Sequence, residues 1–141
     1  MKTLIRGGSV ADSHETRQAD ILIEGERIAA VAESIEATGE MEVINAGGKL
    51  VLPGIIDAHT HYGLRSRGGN VTADDFFQGS VSAACGGVTT IIDYADQIPG
   101  ATMASAANAR KQEAAGSISI DFSLHMTLTD LGPTKWEQLD E

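Results

Sequence analysis

The chain has 141 residues, 42% of them apolar, a formal charge of −10 and a single cysteine, Cys85. That length is ordinarily one domain with enough apolar content for a core. The acidic balance argues against nucleic acid or an anionic membrane surface as partner. One cysteine excludes an internal disulfide, and no apolar run reaches the 18 or so residues of a membrane span. Met1–Arg6 is too short and too weakly basic for a secretory signal, so these features point to a cytoplasmic protein.

The first fifty residues read as β-structure. Thr3–Arg6 is a short strand expected to end at Gly7-Gly8. Ala19–Glu24 and Arg27–Ala32 flank Gly25-Glu26, a two-residue hairpin signal with glycine at its first central position. Glu42–Ala46 and Lys49–Leu52 flank Gly47-Gly48, which reads as a second hairpin. Between the two lies an acidic, polar stretch, Glu33–Met41. Short antiparallel strands with regular turns predict a small β-sandwich segment over residues 1–51.

After Pro53 the rhythm changes to strands alternating with helices. Val51–His61 runs apolar and then turns polar, which reads as a buried strand with a functional end. Thr72 and Asp75 make a helix-start signal. Phe77, Val81, Ala84 and Cys85 follow at i, i+4, i+7 and i+8, predicting the buried stripe of that helix and an inert, buried thiol. Gly86-Gly87 closes it. Val88–Asp93 is β-branched and continuous, the mark of a strand covered on both faces. Ala101–Ala115 is an alanine-rich helix closed by Gly116. Ile118–Thr127 alternates, with Ile118, Ile120, Phe122, Leu124 and Met126 on one face and Ser119, Asp121, Ser123 and His125 on the other. A third helix is expected to open at Gly132-Pro133-Thr134.

That order predicts a parallel sheet. Three βα units cannot close a (β/α)₈ barrel, which needs roughly 250 residues. Residues 52–141 are therefore expected to be the first three units of an incomplete barrel within a longer enzyme.

Chemistry concentrates at the end of the first of these strands. Alternation puts Asp57, His59 and His61 on one face. Two imidazoles two residues apart can close on one metal ion, with zinc–nitrogen bonds of about 2.0–2.1 Å. By itself the pair can equally be two polar residues ending a strand. Asp57 can orient one of the histidines or fix the strand end. Asp93 reads as a structural hydrogen-bonding residue, and His125 as a satisfied core residue rather than a ligand. His14 reads as a loop residue.

Pro53-Gly54-Ile55-Ile56-Asp57-Ala58-His59-Thr60-His61, then Thr72-Ala73-Asp74-Asp75-Phe76, then Gly86-Gly87-Val88-Thr89-Thr90-Ile91-Ile92-Asp93, resemble the cyclic amidohydrolases, and within them the hydantoinase and dihydropyrimidinase branch. The resemblance covers essentially the whole chain but only the front of the family's chain. It implies an α/β fold, the N-terminal part of a (β/α)₈ barrel preceded by a small β-sandwich segment. It implies a hydrolase opening hydantoin or dihydropyrimidine rings by attack of a metal-activated hydroxide. His59 and His61 would bind the more buried of two divalent metals, zinc being expected. A bridging carboxylated lysine would lie beyond Glu141, with two further histidines and a catalytic aspartate. Lys2, Lys49, Lys111 and Lys135 sit on the wrong elements for that bridge. No catalytic residue is therefore expected within this chain, and this segment alone is expected to be inactive.

The resemblance also makes the loop after the histidines part of a substrate gate, with Tyr62, Leu64 and Arg65 as contacts. It implies a small cyclic amide as the substrate and a homotetramer or homodimer as the assembly. Another cyclic amidohydrolase, such as an allantoinase or a dihydroorotase-like enzyme, is the alternative. Dihydroorotases resemble the chain too, but carry an arginine two residues after the second histidine. Gly63 stands there, and Ala95-Asp96-Gln97 replaces their asparagine after the second strand. Arg65 and Arg67 are the cations that would have to substitute. A non-catalytic dihydropyrimidinase-related assembly protein is the remaining reading, and the retained histidine pair counts against it.

Overall fold

The computed structural model describes residues 1–65, 68–129 and 132. The chain divides into two compact units, Met1–Pro53 and Gly54–Glu141. Among the described residues no helix is long and apolar enough to cross a membrane.

The first unit is a single five-stranded mixed sheet where hairpins of a small sandwich were expected. Its strands are β1 (Lys2–Ala11), β2 (Thr16–Glu24), β3 (Arg27–Ala32), β4 (Glu42–Asn45) and β5 (Leu50–Val51), in the order β3-β2-β1-β4, with β5 also on β1. The Gly25-Glu26 hairpin forms as its turn chemistry predicts, with Glu24 facing Arg27 and Gly25 at φ 62°.

Gly47-Gly48 does not make a hairpin. β4 and β5 both run parallel to β1, along Thr3–Arg6 and Ser9–Val10 respectively. The turn, closed by Lys49 N–H donating to Ala46 O at 2.9 Å, is a step between two segments on the same neighbour. Nor does β1 stop at Gly7-Gly8. It passes through with a register shift against β2 between Ile5 and Gly8. A Cβ at Gly8 would lie 2.6 Å from Val51 Cγ2 and 3.1 Å from the Ala46 methyl. Glycine there admits the step that carries β4 into β5. Leu4, Ala19, Ile21 and Ala46 are buried in this unit, and so is one charged residue, Asp20.

The second unit carries a parallel sheet, β6 (Ile55–Thr60), β7 (Val88–Asp96) and β8 (Asp121–Thr127), in that order. Helices α1 (Phe76–Cys85) and α2 (Met103–Ala114) connect them. The third helix expected after Gly132 lies outside the described residues, as does Arg67. β7 alternates: Ile91, Asp93 and Ala95 are buried, while Thr90, Ile92 and Tyr94 on the opposite face are partly open. Among the described residues β6 is an edge strand, and Ile55 and Ile56 are 50% and 62% exposed, against the expectation of a buried strand.

Helix α1 begins one turn later than the sequence signal. Asp75 is its N-cap, accepting from Gln78 N–H at 2.8 Å, which satisfies one of the free amides of the first turn. Thr72 instead uses its hydroxyl oxygen to accept from Leu64 N–H at 2.9 Å. The expected stripe is also rotated. Phe77 is 57% exposed and Cys85 is exposed, while Phe76, Gly79 and Ser80 face inward. Ser80 is buried because its hydroxyl is fully used: it donates to Phe77 O at 3.1 Å and accepts from Ser119 N–H at 3.0 Å.

Candidate functional site

In a parallel sheet the C-terminal strand ends lie along one edge, where barrel enzymes build their sites. Here that edge gathers His59 and Thr60 from β6, His61 just after it, Asp93 and Tyr94 from β7, and His125 from β8. Alternation sorts these residues into two groups on opposite faces of the sheet.

The open face holds the rings. His59 Nε2 and His61 Nε2 are 3.1 Å apart, with ring planes at 80°. Two nitrogens sharing a tetrahedral zinc lie about 3.3 Å apart, so the pair is set at the separation a common ion requires. His61 Nδ1 is buried and has no hydrogen-bond partner among the described residues. Tyr94 lies beside both imidazoles: its ring stacks on His61 at 4.8 Å and 28°, and its hydroxyl is 3.1 Å from His59 Nδ1. His125, the register partner of Tyr94, reaches across β7 to place Nε2 3.2 Å from Ala58 O. That contact is to β6 backbone, and His125 is exposed where a core residue was expected. Asp57 also acts on the backbone, its Oδ1 accepting from His59 N–H at 3.2 Å, and a register shift of β6 on β7 between Asp57 and Thr60 breaks the strict alternation expected from Asp57 to His61. Among the described residues no group of three or more His, Cys, Asp or Glu side chains is arranged to hold a metal ion. His14 belongs to the first unit, in the turn after β1, its N–H donated to Asp12 Oδ1 at 2.8 Å.

The helix-facing side holds a buried charge. Asp93 is completely buried. Its Oδ2 accepts from Thr60 Oγ1 at 3.1 Å and from Tyr62 N–H at 2.9 Å. Its Oδ1 accepts from Tyr94 N–H at 2.8 Å and from Arg110 Nη2 of α2 at 2.6 Å. Arg110 also donates to Tyr62 O, pairs with Glu113, and lies 4.4 Å over the Phe76 ring. The residues immediately after His59 are therefore held from behind by one carboxylate and one guanidinium. Sequence reasoning missed Arg110, since an arginine in an alanine-rich helix reads as a solvated residue. The available signal was Asp93 itself, because a carboxylate inside a β-branched run needs a cationic or amide partner.

Of the three loop residues expected to meet substrate, Tyr62 is turned toward α1. A Cβ at Gly79 would come within 2.4 Å of its ring, so glycine is what lets the ring lie flat on the helix. Its hydroxyl donates to Gly79 O at 3.2 Å. Burial first, then the carboxylates of Asp57, Asp93 and Asp74, raise its phenol above the ordinary value, which keeps it a neutral donor. Leu64 and Arg65 line a cavity of about 210 Å³ together with Gly63, Tyr94, Asp96 and Arg110. The loop's stem is stitched by Gly63 N–H to Asp74 O at 2.7 Å and by Thr72 N–H to Leu64 O at 3.0 Å.

No family model matches the chain. Individual relatives do. The D-hydantoinase of Streptomyces coelicolor is 38% identical over 143 residues, covering 99% of this chain and 30% of its own length. The dihydropyrimidinase of Rattus norvegicus is 36% identical over 132 residues, covering 91% of this chain and 25% of its own. Among solved structures, the dihydropyrimidinase from Brevibacillus agri superposes with a TM-score of 0.93 at 40% identity, covering 99% of this chain and 30% of that one. This chain thus spans about 30% or less of the length of these relatives. Along nearly all of its sequence and fold, the chain matches the N-terminal part of proteins named hydantoinase or dihydropyrimidinase.

Proposed function

We propose that this chain is the first part of a metal-dependent hydrolase that opens cyclic amide rings of the hydantoin or dihydropyrimidine type. The observation that carries the reading is the convergence of His59 Nε2 and His61 Nε2 at 3.1 Å on the open, C-terminal edge of a parallel sheet. His59 and His61 would hold one divalent ion, zinc by the nitrogen donor set. The chemistry such an ion supplies is a water acidified toward neutral pH and a polarised amide carbonyl. The bridging carboxylated lysine, the remaining ligands and the proton-shuttling aspartate belong to the length that this chain does not span. The three-stranded sheet would be the opening of a (β/α)₈ barrel, which gives the exposed edge of β6 a neighbour.

The chain's own residues would divide the remaining work. Asp93 and Arg110 hold the backbone from Thr60 to Tyr62, which keeps the two imidazoles on the open face. Leu64 and Arg65 would contact the substrate, with Tyr62 as the support beneath them. Gly63 puts no cation at the position where a ring carboxylate would be held, which favours an uncharged cyclic amide over a dihydroorotate-like substrate.

The test compares His59→Ala and His61→Ala with His14→Ala in the intact, full-length parent protein, measuring bound metal and turnover of hydantoin and dihydrouracil. The first two variants are expected to lose metal and to lose activity by orders of magnitude, with His14→Ala near normal. Full metal occupancy with near-normal turnover in His59→Ala would sink the reading.

A further inference from the structure

A neutral imidazole carries one proton, on one ring nitrogen. Nε2 of His59 can offer its lone pair to an ion only if the proton sits on Nδ1, and an Nδ1–H needs an acceptor. With the proton on Nε2 instead, His59 would donate across the 3.1 Å gap to His61 Nε2. The gap between the imidazoles would then be closed by a hydrogen bond. Proton and ion are thus alternatives at one place, and a hydroxyl facing Nδ1, which can donate or accept, favours the ion when it accepts.

That group is Tyr94, whose hydroxyl oxygen lies 3.1 Å from His59 Nδ1. The other polar neighbours are engaged elsewhere: Asp57 accepts from the His59 backbone amide, and His125 Nε2 lies against Ala58 O. The tyrosine is also well anchored. Its strand is paired on both sides, and its ring lies within 5.1 Å of three imidazole centroids. Outer partners of this kind set both the tautomer and the orientation of a ligating histidine.

We propose that Tyr94 is a positioning residue that accepts the Nδ1–H of His59 and so holds its Nε2 lone pair toward the point shared with His61. The proposal rests on the reading of His59 and His61 as metal ligands. It adds a residue that touches neither ion nor substrate and acts through His59.

Tyr94→Phe keeps the ring and its stacking on His61 and removes only the oxygen. In the metal-free protein, ¹⁵N shifts of ring-labelled histidine should move His59 from the Nδ1–H toward the Nε2–H tautomer. Competition against a chromophoric chelator should show zinc held about ten- to a hundred-fold more weakly. A merely structural tyrosine would change melting temperature and leave the ring nitrogens alone. Unchanged shifts and unchanged zinc affinity in Tyr94→Phe, alongside weakened zinc in His59→Ala, would overturn the role of Tyr94 and leave the ligand pair standing. Unchanged zinc affinity in His59→Ala would overturn the pair itself, and the proposal with it.

Discussion

Among the described residues each unit of this chain buries one aspartate in a strand, and the two are held in different ways. Asp20 of β2 accepts from the backbone amides of Gly7 at 2.7 Å and Ile35 at 2.9 Å, while its nearest cation, Arg6, is half-exposed and 3.8 Å away. Asp93 of β7 accepts from two amides as well, and in addition takes a nearly buried guanidinium at 2.6 Å. The first carboxylate ties a strand bulge to a returning loop, a distance that amides can cover. The second ties a helix to the segment beside the histidines, which takes a side chain as long as arginine. Amide dipoles tolerate the loss of the charge they face, since a neutral oxygen can still accept. A buried guanidinium does not.

The widest split between the two sites should come from Arg110→Met. It keeps an apolar stem under the sheet and leaves Asp93 buried without its cation. We expect a loss of about 3–5 kcal/mol, read from the urea midpoint. A loss under about 0.5 kcal/mol would mean that amides suffice for Asp93 too, and the contrast would disappear.

Asp20→Asn keeps size and one acceptor oxygen, so the expected loss is about 1–2 kcal/mol at neutral pH. Its pH dependence sharpens the point. The amides of Ile35 and Gly7 hold the native carboxyl below its ordinary range. Stability from that shift is therefore present above the unfolded-state value of about 3.9 and is lost as pH falls through the lower native value. Wild type and Asp20→Asn should converge in stability on acidification below about pH 4, and a gap that stays constant would show that charge plays no part.

The smallest effect belongs to Asp75→Ala. Asp75 also accepts a backbone amide, but from an exposed cap, so it separates amide bonding from burial. About 1 kcal/mol is expected, visible as fraying of α1 in amide exchange. A loss as large as that of Arg110→Met would contradict the ordering.

What the sequence disclosed follows the range of the interactions. The Gly25-Glu26 hairpin is a local event, and its glycine announces it. Gly47-Gly48 looks the same locally, but β4 and β5 find their partner some forty residues back on β1, which no turn signal encodes. The histidine pair was legible because its spacing and its strand are contiguous. Tyr94 was not, because its contact with His59 spans 35 positions and depends on the register of β6 on β7. Helix α1 misled for a chemical reason. Its inward face is Phe76, Gly79 and Ser80, and a glycine chosen for closeness and a serine chosen for two hydrogen bonds carry no apolar signal.

The seat of the Tyr62 ring on Gly79 makes those two positions a single choice. Any side chain at 79 displaces the ring, and the ring's backbone is the segment that Asp93 and Arg110 grip. A library that varies the loop after the histidines while holding 79 fixed can explore only flat or small residues at 62. One that varies 79 alone should return almost nothing but glycine. Randomised together, the two should come back as correlated pairs, with bulk at 79 tolerated only where 62 has given up its ring.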